Sequence, residues 1–166
     1  SIQSALQESG PALAAHGVAF AGGRHQAQRM AVYDLLGRRI EGDETHDVAG
    51  SWRRLVDDID AAAATSVVVS EELLAISRPR QAKALAQSLS AHRVFVVVGV
   101  RDLGRSIPSA WQQEIVKGRT YTWDEYVAAI RDPAQGPATA GVAFRLRFDL
   151  LRILDAWEHA VPRERI

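Results

Sequence analysis

The stretch VFVVVGVRDLGRSIPSAW, residues 94–111, decides which fold this chain can adopt. Its first seven residues, 94–100, include five valines and no polar side chain. A short apolar run rich in β-branched residues and bounded by charged residues is typical of a strand buried on both faces of a parallel sheet. Pro108 then favours the first turn of a helix, which Ser106 can cap. The stretch therefore predicts a buried strand followed by a helix.

A second apolar run, residues 67–69, ends at Ser70 and two glutamates. Residues 79–90 lie between the two runs and have apolar side chains at helical spacing. A strand, a helix and a strand in this order indicate a right-handed βαβ unit. We therefore predict that 67–69 and 94–100 are adjacent parallel strands, because a crossover helix joins strands that run in the same direction.

Other helices are predicted from apolar spacing and from capping residues. Gly10 and Pro11 interrupt the first, and residues 18–20 lead into a turn at Gly22 and Gly23. Residues 37–50 are polar and predicted to form a surface loop. The predicted helices cover 2–14, 25–36, 52–63, 109–118, 121–130 and 144–160. Helices alternating with short apolar strands favour an α/β fold.

Composition limits the classes of function. The chain has 166 residues, and its 20 lysines and arginines balance 20 aspartates and glutamates, so no net field attracts nucleic acid or an anionic membrane. It has no cysteine, which excludes disulfides, thiolate nucleophiles and cysteine-ligated metals. The histidines show no metal-ligand spacing. No apolar run approaches the roughly 20 residues that span a bilayer, and no signal peptide is visible, so we predict a cytoplasmic protein without a metal.

The length suits a single domain over residues 1–166. The sequence begins inside a helical pattern and stops where an α/β protein would enter another strand. We therefore expect this domain to be the interior of a longer one. The oligomeric state is not predicted.

Arg101 and Ser109 are candidate anion ligands. Arg101 follows the predicted strand and Ser109 lies eight residues further on, in the predicted first turn of the helix. A guanidinium binds phosphate oxygens with two charge-assisted hydrogen bonds, and helix N–H groups add to it. The alternative is structural: Arg101 pairs with Asp102 or Asp124, and Ser109 only caps the helix.

Glu71 and Glu72 are candidate catalytic carboxylates, because they follow the other predicted strand and would open on the same crevice. The alternative is that they only stabilise the first turn of a helix. Alternation along the strand favours Glu72 as the inward base and Glu71 as the solvent-facing residue. His25, after the glycine turn, either lines a pocket or lies on the surface.

Residues 94–113, VFVVVGVRDLGRSIPSAWQQ, resemble the 3′-phosphate-binding segment of sulfotransferases that use 3′-phosphoadenosine 5′-phosphosulfate. The wider pattern is similar to a group of bacterial sulfotransferase-like proteins, and it includes GVAFAGGRHQ (17–26), SWRRLVDDI (51–59), VVVSEELL (67–74) and the closing FRLRFDLLRILDAWEHAVPRERI (144–166).

The resemblance implies a P-loop-type three-layer fold with a parallel sheet. It also implies that Arg101 and Ser109 bind the 3′-phosphate and that a catalytic side chain follows 67–69. The implied reaction moves a sulfuryl group to a hydroxyl or amine of a small-molecule, glycan or lipid acceptor, with loops such as 37–50 choosing the acceptor. A P-loop kinase-like transferase and a non-catalytic scaffold of the same fold are the alternatives.

One departure from the family is clear. The lysine-containing phosphate-binding loop, of the TPKTGT kind, should end just before Ser1 and is not in this sequence. We therefore expect the chain as given to contain half of the implied cofactor site and not to catalyse transfer alone.

Overall fold

The fold is that of a computed structural model, which describes residues 2–40 and 47–166. Helix makes up 62% of it, and two short strands form a parallel sheet. The chain therefore has the general α/β character that the sequence predicts. Two compact units follow one another along the chain, Ser1–Val94 and Phe95–Ile166. None of the helices within the described ranges is long and apolar enough to cross a bilayer.

The first unit contains both strands. Its elements are α1 (Ile2–Glu8), α2 (Gly10–Ala15), β1 (Val18–Phe20), α3 (His25–Leu35), α4 (Ser51–Ala61), β2 (Ser66–Val68), a 3₁₀ helix (Glu72–Ile76) and α5 (Pro79–Ser88). Strands β1 and β2 are parallel, with Val18 opposite Ser66 and Phe20 opposite Val68. Helices α3 and α4 pack together, and Val32, Leu55 and Ile59 are among their buried side chains. Strand β1 was not predicted from the sequence, which indicated only the turn that follows it.

The predicted surface loop 37–50 lies partly outside the described residues, at 41–46. Its described parts, 37–40 and 47–50, contain neither helix nor strand.

The predicted strand over 94–100 is absent, and its predicted pairing with 67–69 is wrong. The strand β2 pairs with β1 instead. Val96 donates its backbone N–H to the Arg165 carbonyl at 2.7 Å, and the side chain of Val97 is 93% exposed. A strand exists only where a neighbour supplies backbone hydrogen bonds. The predicted burial on both faces is wrong as well, because the apolar run identifies neither the neighbouring strand nor a surface that would cover its side chains.

The second unit is helical. Its elements are α6 (Leu103–Val116), α7 (Trp123–Arg131), a 3₁₀ helix (Pro133–Gln135), α8 (Ala138–Phe148), α9 (Leu150–Glu158) and a 3₁₀ helix (Arg163–Arg165). Tyr126, Ala129, Ala140 and Phe144 form a buried cluster between α7 and α8. A Cβ on Gly141 would clash with the Ala129 carbonyl oxygen, so the close approach of these two helices requires glycine.

Helix α6 begins at Leu103, six residues before the predicted start at residue 109. The Asp102 carboxylate accepts the Arg105 N–H at 2.9 Å and caps the helix, so Pro108 lies inside α6 and the buried Ser106 is not its cap. The predicted last helix is divided at Asp149, whose carboxylate accepts the Arg152 N–H at 3.1 Å and starts α9. An aspartate cap satisfies N–H groups that would otherwise lack a partner, and it outweighs a continuous apolar pattern here.

Candidate functional site

The carboxyl ends of the two strands form the candidate site. Because β1 and β2 are parallel, their carboxyl ends lie at one edge of the sheet. The residues after β1 lead through a glycine turn to His25, the first residue of α3, and those after β2 lead to Ser70 and Glu71. Ligands of open α/β sheets bind outside the carboxyl ends of the strands.

Gln28 joins the two chain segments that leave these strands. Its side chain is fully buried, and its amide nitrogen donates to the carbonyl oxygens of Ala21 at 2.8 Å and Val68 at 3.3 Å. Its amide oxygen accepts the Ser70 N–H at 2.7 Å. One side chain therefore satisfies the Ala21 carbonyl and the Ser70 N–H beyond the strands and adds a second hydrogen bond to the Val68 carbonyl, which also accepts the Ala21 N–H. These bonds fix the backbone on both sides of the site.

Next to Gln28, the side chains of His25 and Glu71 form a hydrogen bond. His25 Nε2 lies 2.8 Å from Glu71 Oε2, and the two side chains are 35% and 6% exposed. A carboxylate can only accept a hydrogen bond, so Nε2 is the donor. The other oxygen of Glu71 accepts the Leu73 N–H at 3.3 Å and caps the 3₁₀ helix. The carboxylate thus both starts the helix and orients an imidazole.

Glu72 is exposed and begins the 3₁₀ helix. The predicted orientation of the two glutamates is therefore wrong, since Glu71 is the nearly buried residue and Glu72 faces solvent. The strand ends at Val68, and the alternation of side chains cannot be extended from there into a helix that starts four residues later.

Arg101 and Ser109 belong to the second unit, and both are exposed. Neither side chain forms a hydrogen bond or ion pair with any residue of the ranges 2–40 and 47–166. The structural alternative for Arg101 is thus not seen, because Asp102 faces Arg105, 3.7 Å away. Ser109 lies in the middle of α6, not in its first turn and not at its cap.

A second charged cluster surrounds Glu114, whose side chain is 10% exposed. Its carboxylate lies 3.3 Å from Lys117 Nζ, 3.9 Å from Arg119 Nε and 3.8 Å from Arg147 Nη1. Burial raises the pKa of the neighbouring Tyr126 to about 12, and the charge of Glu114 acts in the same direction. This cluster was not predicted, because Arg147 is far from Glu114 in sequence.

The role of Gln28 was not predicted either. The available signal was its spacing: His25 and Gln28 are three residues apart and so share a face of one helix. Within the part of the chain that the structure describes, no three histidine, aspartate or glutamate side chains are grouped so as to hold a metal ion.

No protein-family model, no curated protein and no solved structure significantly matches this chain.

Proposed function

We propose that this protein is a sulfotransferase that moves a sulfuryl group from 3′-phosphoadenosine 5′-phosphosulfate to a hydroxyl or amine of an acceptor. The observation on which this proposal rests is the pairing of a nearly buried carboxylate, Glu71, with His25 at the carboxyl edge of a parallel sheet. The resemblance of residues 94–113 to a 3′-phosphate-binding segment supports the choice of donor.

Sulfuryl transfer needs a nucleophile in line with the leaving group and a group that removes the nucleophile's proton. By analogy with phosphoryl transfer, positioning and charge stabilisation supply most of the rate. The acidic pair Glu71 and Glu72 provides the catalytic carboxylate in this proposal. Glu71 suits that role better, because its side chain is held at the strand ends whereas Glu72 faces solvent.

The proposal includes a P-loop-type three-layer architecture. The parallel pairing of β1 and β2, with helices before and after each strand, is compatible with it.

The 3′-phosphate ligands in the proposal are Arg101 and Ser109. Both side chains are exposed and unpaired within the described ranges, so binding an anion breaks no existing ion pair. The Arg101→Ala substitution is expected to weaken binding of 3′-phosphoadenosine 5′-phosphate about tenfold or more, since a charge-assisted hydrogen bond contributes about 1.5–3 kcal/mol. Binding of adenosine 5′-phosphate, which lacks the 3′-phosphate, should hardly change. Titration calorimetry with both nucleotides measures the difference.

Arg163→Ala is the matched control, because it removes the same charge from a side chain that is 87% exposed. Equal weakening for the two nucleotides in Arg101→Ala would show that Arg101 does not read the 3′-phosphate. Tighter binding of ATP than of 3′-phosphoadenosine 5′-phosphate by the wild type would favour the kinase-like alternative. Binding of neither would favour the scaffold.

A further inference from the structure

We infer that a small cavity between the end of α3 and the start of α5 binds a tetrahedral oxyanion, sulfate or phosphate, either as the free ion or as an ester group of a larger molecule. The cavity has a volume of about 190 Å³, and its lining residues are Leu36, Arg38, Ile76, Arg78 and Gln81. All five belong to the first unit, and none belongs to the candidate site. The inference therefore does not depend on the proposed sulfuryl transfer.

The volume of the cavity limits the size of the bound group. Pockets for drug-sized ligands have volumes of roughly 300–1,000 Å³. One water molecule takes up about 30 Å³ in the liquid, so this cavity corresponds to about six water molecules. Its apolar part consists of the buried Leu36 and Ile76, and its polar part includes the exposed Arg38 and Arg78. The cavity therefore admits one small polar group and not a whole nucleotide.

The two arginines of the cavity have no counter-ion. Within the part of the chain that the structure describes, neither the Arg38 nor the Arg78 guanidinium forms an ion pair or a hydrogen bond, whereas Arg53 and Arg163 face carboxylates. Two positive groups beside one small cavity repel each other, and an anion between them removes this repulsion. A guanidinium binds sulfate or phosphate oxygens with two parallel charge-assisted hydrogen bonds. A tetrahedral oxyanion has enough oxygens for both side chains, but a carboxylate does not.

The end of α3 fixes the backbone of Arg38. Gly37 has a φ of +64°, in the left-handed region, and its N–H donates to the Asp34 carbonyl at 2.9 Å. The Arg38 N–H donates to the Tyr33 carbonyl at 2.8 Å. These two bonds form a Schellman motif, which ends the helix and satisfies its last carbonyl groups. Arg38 therefore leaves α3 in a defined direction.

Gln81 ties the start of α5 to the end of α3. Its Oε1 accepts the Arg78 N–H at 2.9 Å, and its Nε2 donates to the Leu36 carbonyl at 2.9 Å. Pro79 also restricts the Arg78 backbone to an extended conformation, with φ −87° and ψ 160°. An amide nitrogen has two N–H groups, so the second one on Nε2 can donate to a bound oxyanion. Groups that are held before binding lose less conformational freedom when the ligand binds.

Each arginine of the cavity has a neighbour in the sequence that provides a matched control. Arg39 follows Arg38, and Arg80 lies two residues after Arg78 in the first turn of α5. Both neighbours are exposed, and neither lines the cavity. Replacing either one removes the same charge from nearly the same place. Comparison within the two pairs therefore distinguishes a binding site from a general positive potential.

The test measures binding of radiolabelled inorganic sulfate to the full chain by equilibrium dialysis at low ionic strength. Every protein carries Arg101→Ala, so that the proposed 3′-phosphate ligand does not contribute. Adding Arg38→Ala or Arg78→Ala is expected to weaken binding about tenfold, since each removes charge-assisted hydrogen bonds. Arg78→Lys keeps the charge but loses the paired hydrogen bonds, so an intermediate loss is expected.

The control substitutions and an NMR measurement complete the test. Arg39→Ala and Arg80→Ala should weaken sulfate binding about twofold or less, because salt screens exposed charges that do not contact the ligand. In nitrogen-15 spectra of the arginine Nε–H groups, sulfate should shift the signals of Arg38 and Arg78 and leave those of Arg39 and Arg80 in place. The same spectra show that each variant is folded.

Glucose 6-sulfate, with glucose as the neutral control, identifies the source of the oxyanion. Tighter binding of glucose 6-sulfate than of inorganic sulfate would assign the cavity to an ester group, and the reverse order would assign it to the free ion. The inference is overturned if sulfate does not bind saturably, if acetate binds more tightly than sulfate, or if Arg80→Ala weakens binding as much as Arg78→Ala. Failure of the wild type to bind 3′-phosphoadenosine 5′-phosphate would overturn the proposed function and leave this inference standing.

Discussion

Tyr126 shows how one buried side chain makes stability depend on pH. It is 2% exposed and packs against Phe144, with 6.5 Å between the ring centroids. Its pKa is raised to about 12, first by burial and then by the charge of Glu114, while Arg147 acts in the opposite direction. The folded protein therefore holds the phenolic proton more tightly than the unfolded chain does, where the tyrosine pKa is about 10.

This difference predicts a loss of stability at alkaline pH. Below pH 10 the folded and unfolded chains both keep the phenolic proton of Tyr126, so the contribution of this residue to stability is fully present. As the pH rises through 10 toward 12, the unfolded chain binds fewer protons than the folded one, so the free energy of unfolding falls. Between pH 8 and pH 11, the free energy of unfolding should fall by about 1 kcal/mol less in Tyr126→Phe than in the wild type, since one pKa unit corresponds to about 1.4 kcal/mol. Urea unfolding at both pH values measures this difference.

Tyr33→Phe is the control, because it removes the same hydroxyl group from a half-buried tyrosine of the first unit. If the free energy of unfolding falls equally between pH 8 and pH 11 in the wild type and in Tyr126→Phe, the phenol does not titrate in the predicted range.

Single residues also show how far the sequence can be used to predict the candidate site. The position of Glu71 and Glu72 after a strand could be predicted, because an apolar run followed by acidic residues indicates a strand end. Which of them is buried could not, because that depends on the residue at which the 3₁₀ helix begins. The pairing of His25 with Glu71 joins residues 46 positions apart, and no local pattern indicates it.

Gln28 links α3 to the two strands, and its removal should weaken that part of the fold. Gln28→Leu would remove this partner from the Ala21 carbonyl and the Ser70 N–H, whereas the Val68 carbonyl would keep the Ala21 N–H. A buried group left without a hydrogen bond costs about 1–3 kcal/mol. We therefore expect Gln28→Leu to lower the free energy of unfolding by roughly 2 kcal/mol or more, measured by urea unfolding.

Gln26→Leu is the matched control, because Gln26 is exposed on the same helix. A similar small effect for both substitutions would show that the buried amide does not hold the strand ends together.

Among the helices and strands, those with strong local signals were predicted best. Thr122 and Glu125 cap α7 as predicted, with the Thr122 N–H 2.8 Å from Glu125 Oε2. The hydrogen bonds from Thr122 also lower the pKa of Glu125. By contrast, β1 has only three residues and α6 begins at a cap outside the predicted helix. A strand this short exists because of its neighbour, which sequence periodicity does not show.

The division into two units predicts how the whole chain unfolds. Each unit has its own buried side chains, and Trp52 is in the first while Trp111, Trp123 and Trp157 are in the second. In Trp52→Phe the tryptophan fluorescence therefore reports only the second unit, whereas far-ultraviolet circular dichroism reports both. We expect the two probes to give different urea midpoints in this variant.

Trp123→Phe, which removes a half-exposed ring and retains Trp52, is the control for losing one fluorophore. Coincident midpoints in Trp52→Phe would indicate one cooperative transition and would favour the single domain over residues 1–166 that the sequence predicts. Length and composition could predict only that single domain, because neither shows where contacts between distant residues become sparse.

The valine run that follows the boundary between the units has a consequence for handling the protein. Phe95, Val97 and Val100 are 58%, 93% and 70% exposed. A window of this kind, with high β-propensity, no proline and no charge, is typical of segments that drive fibrillar aggregation. We therefore expect the apolar run at 94–100 to limit the solubility of concentrated samples. The formal net charge is zero, so electrostatic repulsion between molecules is weak. A lysine at position 97 would act as a gatekeeper there, because it would interrupt the apolar run.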